Sequence, residues 1–91
     1  VSRLAKHIYV DGVVQGVHYR ESTREEAERL GITGWVKNLS DGRVEIKAEG
    51  ESEALEQFLV WLHHGPAHAR VNQVAIQDHS LLGLNDFIVQ R

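Results

Sequence analysis

The chain reads as an α+β sandwich in the order β-α-β-β-α-β plus a terminal strand, an antiparallel sheet with two helices on one face. Three observations give that reading. Two stretches with helical spacing of apolar residues alternate with β-branched runs of period two. A Ser-Asp-Gly turn joins two of those runs into a hairpin. A length of 91 residues sets one domain, residues 1–91, with one core and little to spare.

Residues 7–13, His-Ile-Tyr-Val-Asp-Gly-Val, alternate and predict a strand with Ile8 and Val10 on one face. The segment 14–20 has a glycine in its middle and ends where a helix begins. Ser22 and Glu25 match an S-x-x-E capping box, and Glu25 and Glu26 suit the positive end of a helix. Thr23, Ala27 and Leu30 form the inner stripe of that helix, which Gly31 stops. Residues 34–49 read as a hairpin, and its register decides which side chains face inward. A two-residue Asp-Gly turn would pair Leu39 with Val44 and put a charged residue on the apolar face. A three-residue turn, Ser40-Asp41-Gly42, pairs Leu39 with Arg43, Lys37 with Glu45 and Trp35 with Lys47. Val36, Val44, Ile46 and Ala48 then share one face and the charged residues the other, so the pattern selects this register. It also places Asn38 on the inner face, where a carboxamide needs partners.

Leu55, Phe58, Leu59 and Leu62 fall at i, i+3, i+4 and i+7 within residues 53–64, an amphipathic helix with Ser52 as its N-cap and Gly65-Pro66 at its end. Val71 to Asp78 is a further strand with Val74 and Ile76 inward, Leu81 to Asp86 a loop, and Phe87 to Gln90 a short closing strand. The β-α-β crossovers are expected to be right-handed.

Composition narrows the chemistry. The chain has no cysteine, which removes disulfides, thiolate metal sites and thiol nucleophiles. Its formal charge of −3 does not suit a general nucleic-acid binder, although a local basic pocket can still hold an anion. No apolar run is long enough to span a bilayer and VSRLAKHIYV is not a signal peptide, so a cytoplasmic domain is expected. A start at Val1 rather than Met points to a processed or trimmed N-terminus.

Two places can carry chemistry. Val14-Gln15-Gly16-Val17-His18-Tyr19-Arg20 links a strand to a helix N-terminus. Successive N–H groups in such a loop can form a nest for an anion, and Arg20 adds a fork that fits a phosphoryl group. The plainer alternative is that Gly16 makes a turn and Arg20 pairs with a carboxylate such as Glu21. Asn38 has both a donor and an acceptor and can orient a water; otherwise it bonds its own hairpin. Six histidines invite a metal reading. His63 and His64 point to different helix faces and His68 lies beyond the Gly-Pro break, so no metal site is expected. His18 covers the pocket mouth or donates a proton.

These segments carry a resemblance. Asp11 to Arg20, DGVVQGVHYR, followed by Gly34 to Glu45, GWVKNLSDGRVE, resembles the paired signatures of the acylphosphatases. The likeness continues through Gly65-Pro66-Ala67 to Phe87 and covers essentially the whole chain. It implies a ferredoxin-like sandwich that hydrolyses the carboxyl-phosphate bond of acyl phosphates without a cofactor, releasing inorganic phosphate. By position Arg20 matches the phosphate-binding arginine and Asn38 the water-positioning asparagine. Gln15, Gly16, Val17, His18, Tyr19 and Arg20 match the phosphate-binding loop. His18 stands where the family commonly has an aromatic or small residue. A monomer acting on a small molecule, with no nucleic acid and no membrane, is the expected state. Two rivals use the same fold: an RNA-binding module stacking bases on Tyr9 and Trp35, and a domain that grips an acyl phosphate without hydrolysing it.

Overall fold

The computed structural model describes residues 2–90, and Val1, on which the trimmed-N-terminus expectation rests, lies outside them. The elements are β1 (Arg3–Val13), α1 (Tyr19–Leu30), β2 (Thr33–Asn38), β3 (Val44–Glu51), α2 (Ser52–His64), β4 (Arg70–His79) and β5 (Phe87–Val89). They build one five-stranded sheet in the order β4-β1-β3-β2-β5. The order β-α-β-β-α-β with a closing strand stands. The wholly antiparallel sheet needs one correction, because β5 runs parallel to β2 while the other pairs are antiparallel. The chain leaves β4 at one edge and must reach the other, and it re-enters the sheet in the direction of β2.

The hairpin has the register that its charge pattern selects. Trp35 lies opposite Lys47, Lys37 opposite Glu45 and Asn38 opposite Val44, and the Leu39 N–H donates to the Arg43 carbonyl at 2.8 Å. Ile8, Val10, Val36, Val44, Ile46 and Ala48 are buried in one cluster with Ala27 of α1 and Leu55, Phe58 and Leu62 of α2. Both helices therefore cover the same face. Close approach of β2 to β3 requires Gly34, whose φ is +146° and where an added Cβ would lie 1.7 Å from the Lys47 carbonyl oxygen. Ile76 sits opposite Ile8 and so faces the helix side, but it remains 40% exposed because β4 is an edge strand.

The helix starts differ from the capping pattern. α1 begins at Tyr19, with His18 at the N-cap in the left-handed conformation and no side-chain cap, so Ser22 is helical and the predicted capping box does not form. Ser52 likewise is the first helical residue of α2, and Glu51 occupies the N-cap position. α1 is anchored instead by tertiary packing. The Tyr19 hydroxyl donates to the Leu62 carbonyl at 2.8 Å, and its ring lies 5.8 Å from that of Trp61. Burial holds the Tyr19 phenol well above the usual range, so it remains a donor throughout the physiological pH range.

The other face of the sheet is not simply a solvated charged surface. Lys47 and Glu49 lie on it yet are almost wholly buried. The β4–β5 connection crosses over them: Lys47 Nζ donates to the Ser80 carbonyl at 3.1 Å and bonds His79 Nδ1, while Glu49 accepts backbone N–H groups from residues 82–84.

Candidate active site

At the end of the sheet where β1 gives way to α1, a pocket of about 240 Å³ is lined by Val14, Gly16, His18, Tyr19, Arg20, Glu21, Asn38 and Val89. Three elements converge there: the residue 15–20 loop, the C-terminal end of β2 and the C-terminal end of β5. The loop turns left-handed twice, at Gly16 (φ 74°) and His18 (φ 67°). Such a turn running into a helix start presents amides that the first helical turn leaves without intrahelical acceptors. An added Cβ at Gly16 would meet nothing within 4 Å, so its backbone angle, not space, calls for glycine there.

The predicted residues divide by what their side chains do. Gly16, His18, Tyr19, Arg20 and Asn38 reach the pocket wall. Gln15 does not line it; its Nε2 donates to the Leu39 carbonyl at 2.7 Å and the Arg43 carbonyl at 2.8 Å, tying the loop to both ends of the hairpin turn. Val17 packs against the core. Neither side chain lines the pocket.

Arg20 is held from an unexpected side: its Nη1 donates to the Gln90 carbonyl at 2.7 Å. Glu21, the carboxylate weighed as its partner, ion-pairs with Arg24 at 2.9 Å. Val89 and the Gln90 carbonyl carry no signal in the sequence that places them here. Nothing local signals them, since β5 reaches the site only by crossing the sheet. Asn38 ends β2 on the inner face, and its Oδ1 is buried without a hydrogen-bond partner among the described residues. The expectation of an inward carboxamide needing partners is met by geometry, and the bonds of its own hairpin do not satisfy that oxygen. Buried polar atoms are rarely left without a partner, and Asn38 is at the same time one of the residues that line the pocket.

No group of three or more His, Asp or Glu side chains among the described residues could hold a metal ion. No helix among them is long and apolar enough to cross a membrane. On the outer sheet face Tyr9 and Trp35 are not open platforms. The Arg43 guanidinium lies 4.8 Å from the Tyr9 ring centroid and Lys37 Nζ 5.4 Å from that of Trp35.

Fold and pocket together define a class: a ferredoxin-like α+β domain with a small arginine-lined cavity at one end of its sheet. Comparison with known proteins makes this particular. The acylphosphatase family model matches residues 6–89. An acylphosphatase of Pseudomonas paraeruginosa (strain DSM 24068 / PA7) is 52% identical over 91 residues, all of both chains. The structure of an acylphosphatase from Coxiella burnetii superposes with a TM-score of 0.94 at 43% identity, over 97% of this chain and 93% of that one. An acylphosphatase from Bacillus subtilis does so with a TM-score of 0.94 at 39% identity, over 97% and 99%. The chain belongs to the acylphosphatase family. It is an enzyme that hydrolyses the carboxyl-phosphate bond of acyl phosphates to a carboxylate and inorganic phosphate.

Proposed function

We propose that the phosphoryl group of an acyl phosphate sits in the residue 15–20 loop against Arg20, and that Asn38 positions the attacking water. Phosphoryl transfer asks the protein for charge stabilisation on the equatorial oxygens and an in-line nucleophile, with little covalent help. Backbone amides and the Arg20 guanidinium supply the first. A water donating to the Asn38 carboxamide oxygen supplies the second, since that bond fixes one proton of the water and aims its lone pair. The carboxylate leaves without a dedicated acid, and the bound phosphate can take the proton of the water. The observation that carries this reading is that Asn38, whose Oδ1 has no hydrogen-bond partner among the described residues, lines the same pocket as Arg20.

The reading is of a cytoplasmic, monomeric enzyme acting on a small molecule, with no nucleic-acid partner. The cations seated over Tyr9 and Trp35 support that last point, because they occupy the faces on which bases would stack. Turnover of benzoyl phosphate, inhibited by inorganic phosphate and indifferent to EDTA, is the assay. Arg20→Gln is expected to lose about 10²–10³-fold in kcat/KM together with phosphate inhibition. Asn38→Ala is expected to lose about 10²-fold in kcat while the phosphate inhibition constant stays near wild type, because a misplaced nucleophile costs rate rather than binding. Wild-type turnover by either variant overturns the assignment.

A further inference from the structure

We propose that Glu49, on the far face of the sheet, is a positioning residue for Arg20, acting through the β4–β5 connection and β5. The inference rests on the assignment of Arg20 above and extends it to a residue that touches nothing in the pocket. Glu49 is a fully buried carboxylate that hydrolysis does not use. Removing an ionised carboxylate from water costs several kcal/mol unless charge-assisted bonds replace the solvent. Here three successive backbone amides do so: Leu82 N at 2.6 Å from Oε2, and Gly83 N at 3.2 Å and Leu84 N at 3.3 Å from Oε1. The left-handed Gly83 (φ 73°) lets consecutive N–H groups turn toward one anion.

Beyond Leu84 the chain is held by Phe87, which is buried in the core with its ring 6.0 Å from that of Phe58, and by a few backbone bonds. The Asp86 carbonyl accepts from the Gly34 N–H at 2.8 Å. Three residues of β5 then pair parallel to β2, from Phe87 beside Gly34 to Val89 beside Val36. The Gln90 N–H donates to the Val36 carbonyl at 2.8 Å, and the Gln90 carbonyl accepts from Arg20 at 2.7 Å. A three-residue parallel strand at a sheet edge has little stability of its own. Phe87 seats the start of the strand in the core, and the Glu49 clasp fixes where the connection enters it. Loosening the Glu49 clasp lets β5 shift about the Phe87 anchor, moving Val89 in the pocket wall and the carbonyl that orients the guanidinium.

Two variants attack the clasp from opposite sides. Glu49→Gln keeps the shape but leaves one acceptor oxygen and turns an NH₂ group toward N–H donors. Gly83→Ala leaves Glu49 intact and strains the connection, since φ is +73° and an added Cβ would meet nothing within 4 Å. Phosphate affinity measured by calorimetry, benzoyl phosphate kinetics and amide hydrogen exchange at Gln90 form the readout, with Arg20→Gln alongside. Both variants are expected to weaken phosphate binding and raise KM about 3–30-fold, a usual range for coupling through a packed element, and to speed exchange at Gln90 but not at Ile46. A lower urea midpoint with wild-type phosphate affinity and KM means a merely structural role and overturns the proposal. Should Glu49→Gln fail to fold, wild-type affinity in Gly83→Ala overturns it equally. If Arg20→Gln loses phosphate while both clasp variants keep it, only the role of Glu49 falls. If Arg20→Gln itself binds phosphate normally, the site assignment falls and this inference with it.

Discussion

A guanidinium stabilises a phosphoryl group best when it is held where charge develops, so in the proposed site the bond from Arg20 to the Gln90 carbonyl adds aim to the cation. The types and order of the candidate site residues were legible in the sequence because they are local: an arginine opening a helix after a glycine turn, and an asparagine at a hairpin position whose parity faces inward. His18 was legible only as a pocket residue. Its left-handed backbone appeared with the structure, and it displaces the capping box expected at Ser22 by starting α1 earlier. A β-branched residue resists that conformation most. His18→Val is therefore expected to lower the unfolding free energy by about 1–2 kcal/mol and to weaken phosphate binding, whereas His18→Gly keeps or raises stability. Urea titration read beside phosphate calorimetry checks this, and a His18→Val protein as stable as wild type contradicts it.

Among the elements, the hairpin was legible because two local signals agree. Moving from a two- to a three-residue turn slips the register and reverses every side chain, so the turn residues and the alternation from Trp35 to Ala48 had to agree. The role of Gln15 was not legible. A polar residue in an anion loop fits a ligand equally well in sequence, yet its amide bonds two hairpin carbonyls. Those bonds join the residue 15–20 loop to the turn after Asn38 and so fix the distance between the two groups proposed to hold phosphate and water. Gln15→Ala is expected to reduce kcat on benzoyl phosphate about 10-fold or more while the phosphate inhibition constant shifts less, because nucleophile and phosphate lose register. A rise in the phosphate inhibition constant with kcat unchanged would instead make Gln15 a direct ligand.

Across the whole molecule, the charged outer face is a bonded layer rather than a row of solvated side chains. Burial works to raise the Glu45 carboxyl, but bonds from His7 at 2.6 Å and Tyr9 at 3.2 Å, with Lys37 nearby, hold it below the usual range. The Lys6 ion pair holds Asp78 down as well. A carboxyl depressed in the folded state stabilises it above the unfolded value, about 4.3 for Glu, and that contribution disappears as the pH falls through the folded value. Urea midpoints are expected to drop from pH 5 to pH 3, and Glu45→Gln to show a lower midpoint at pH 7 with a shallower acid slope. Identical slopes for the two proteins would remove Glu45 as a source of acid sensitivity.

Periodicity, turn chemistry and two motifs determined the element order, the hairpin register, the inner face and the residues proposed to hold phosphate and water, because each depends on neighbours a few positions away. The parallel placement of β5, the burial of Lys47 and Glu49, the orphaned oxygen of Asn38 and the carbonyl that orients Arg20 belong to the tertiary structure. They arise where the connection from one edge of the sheet to the other crosses strands distant in sequence, and no local pattern records which backbone groups meet there.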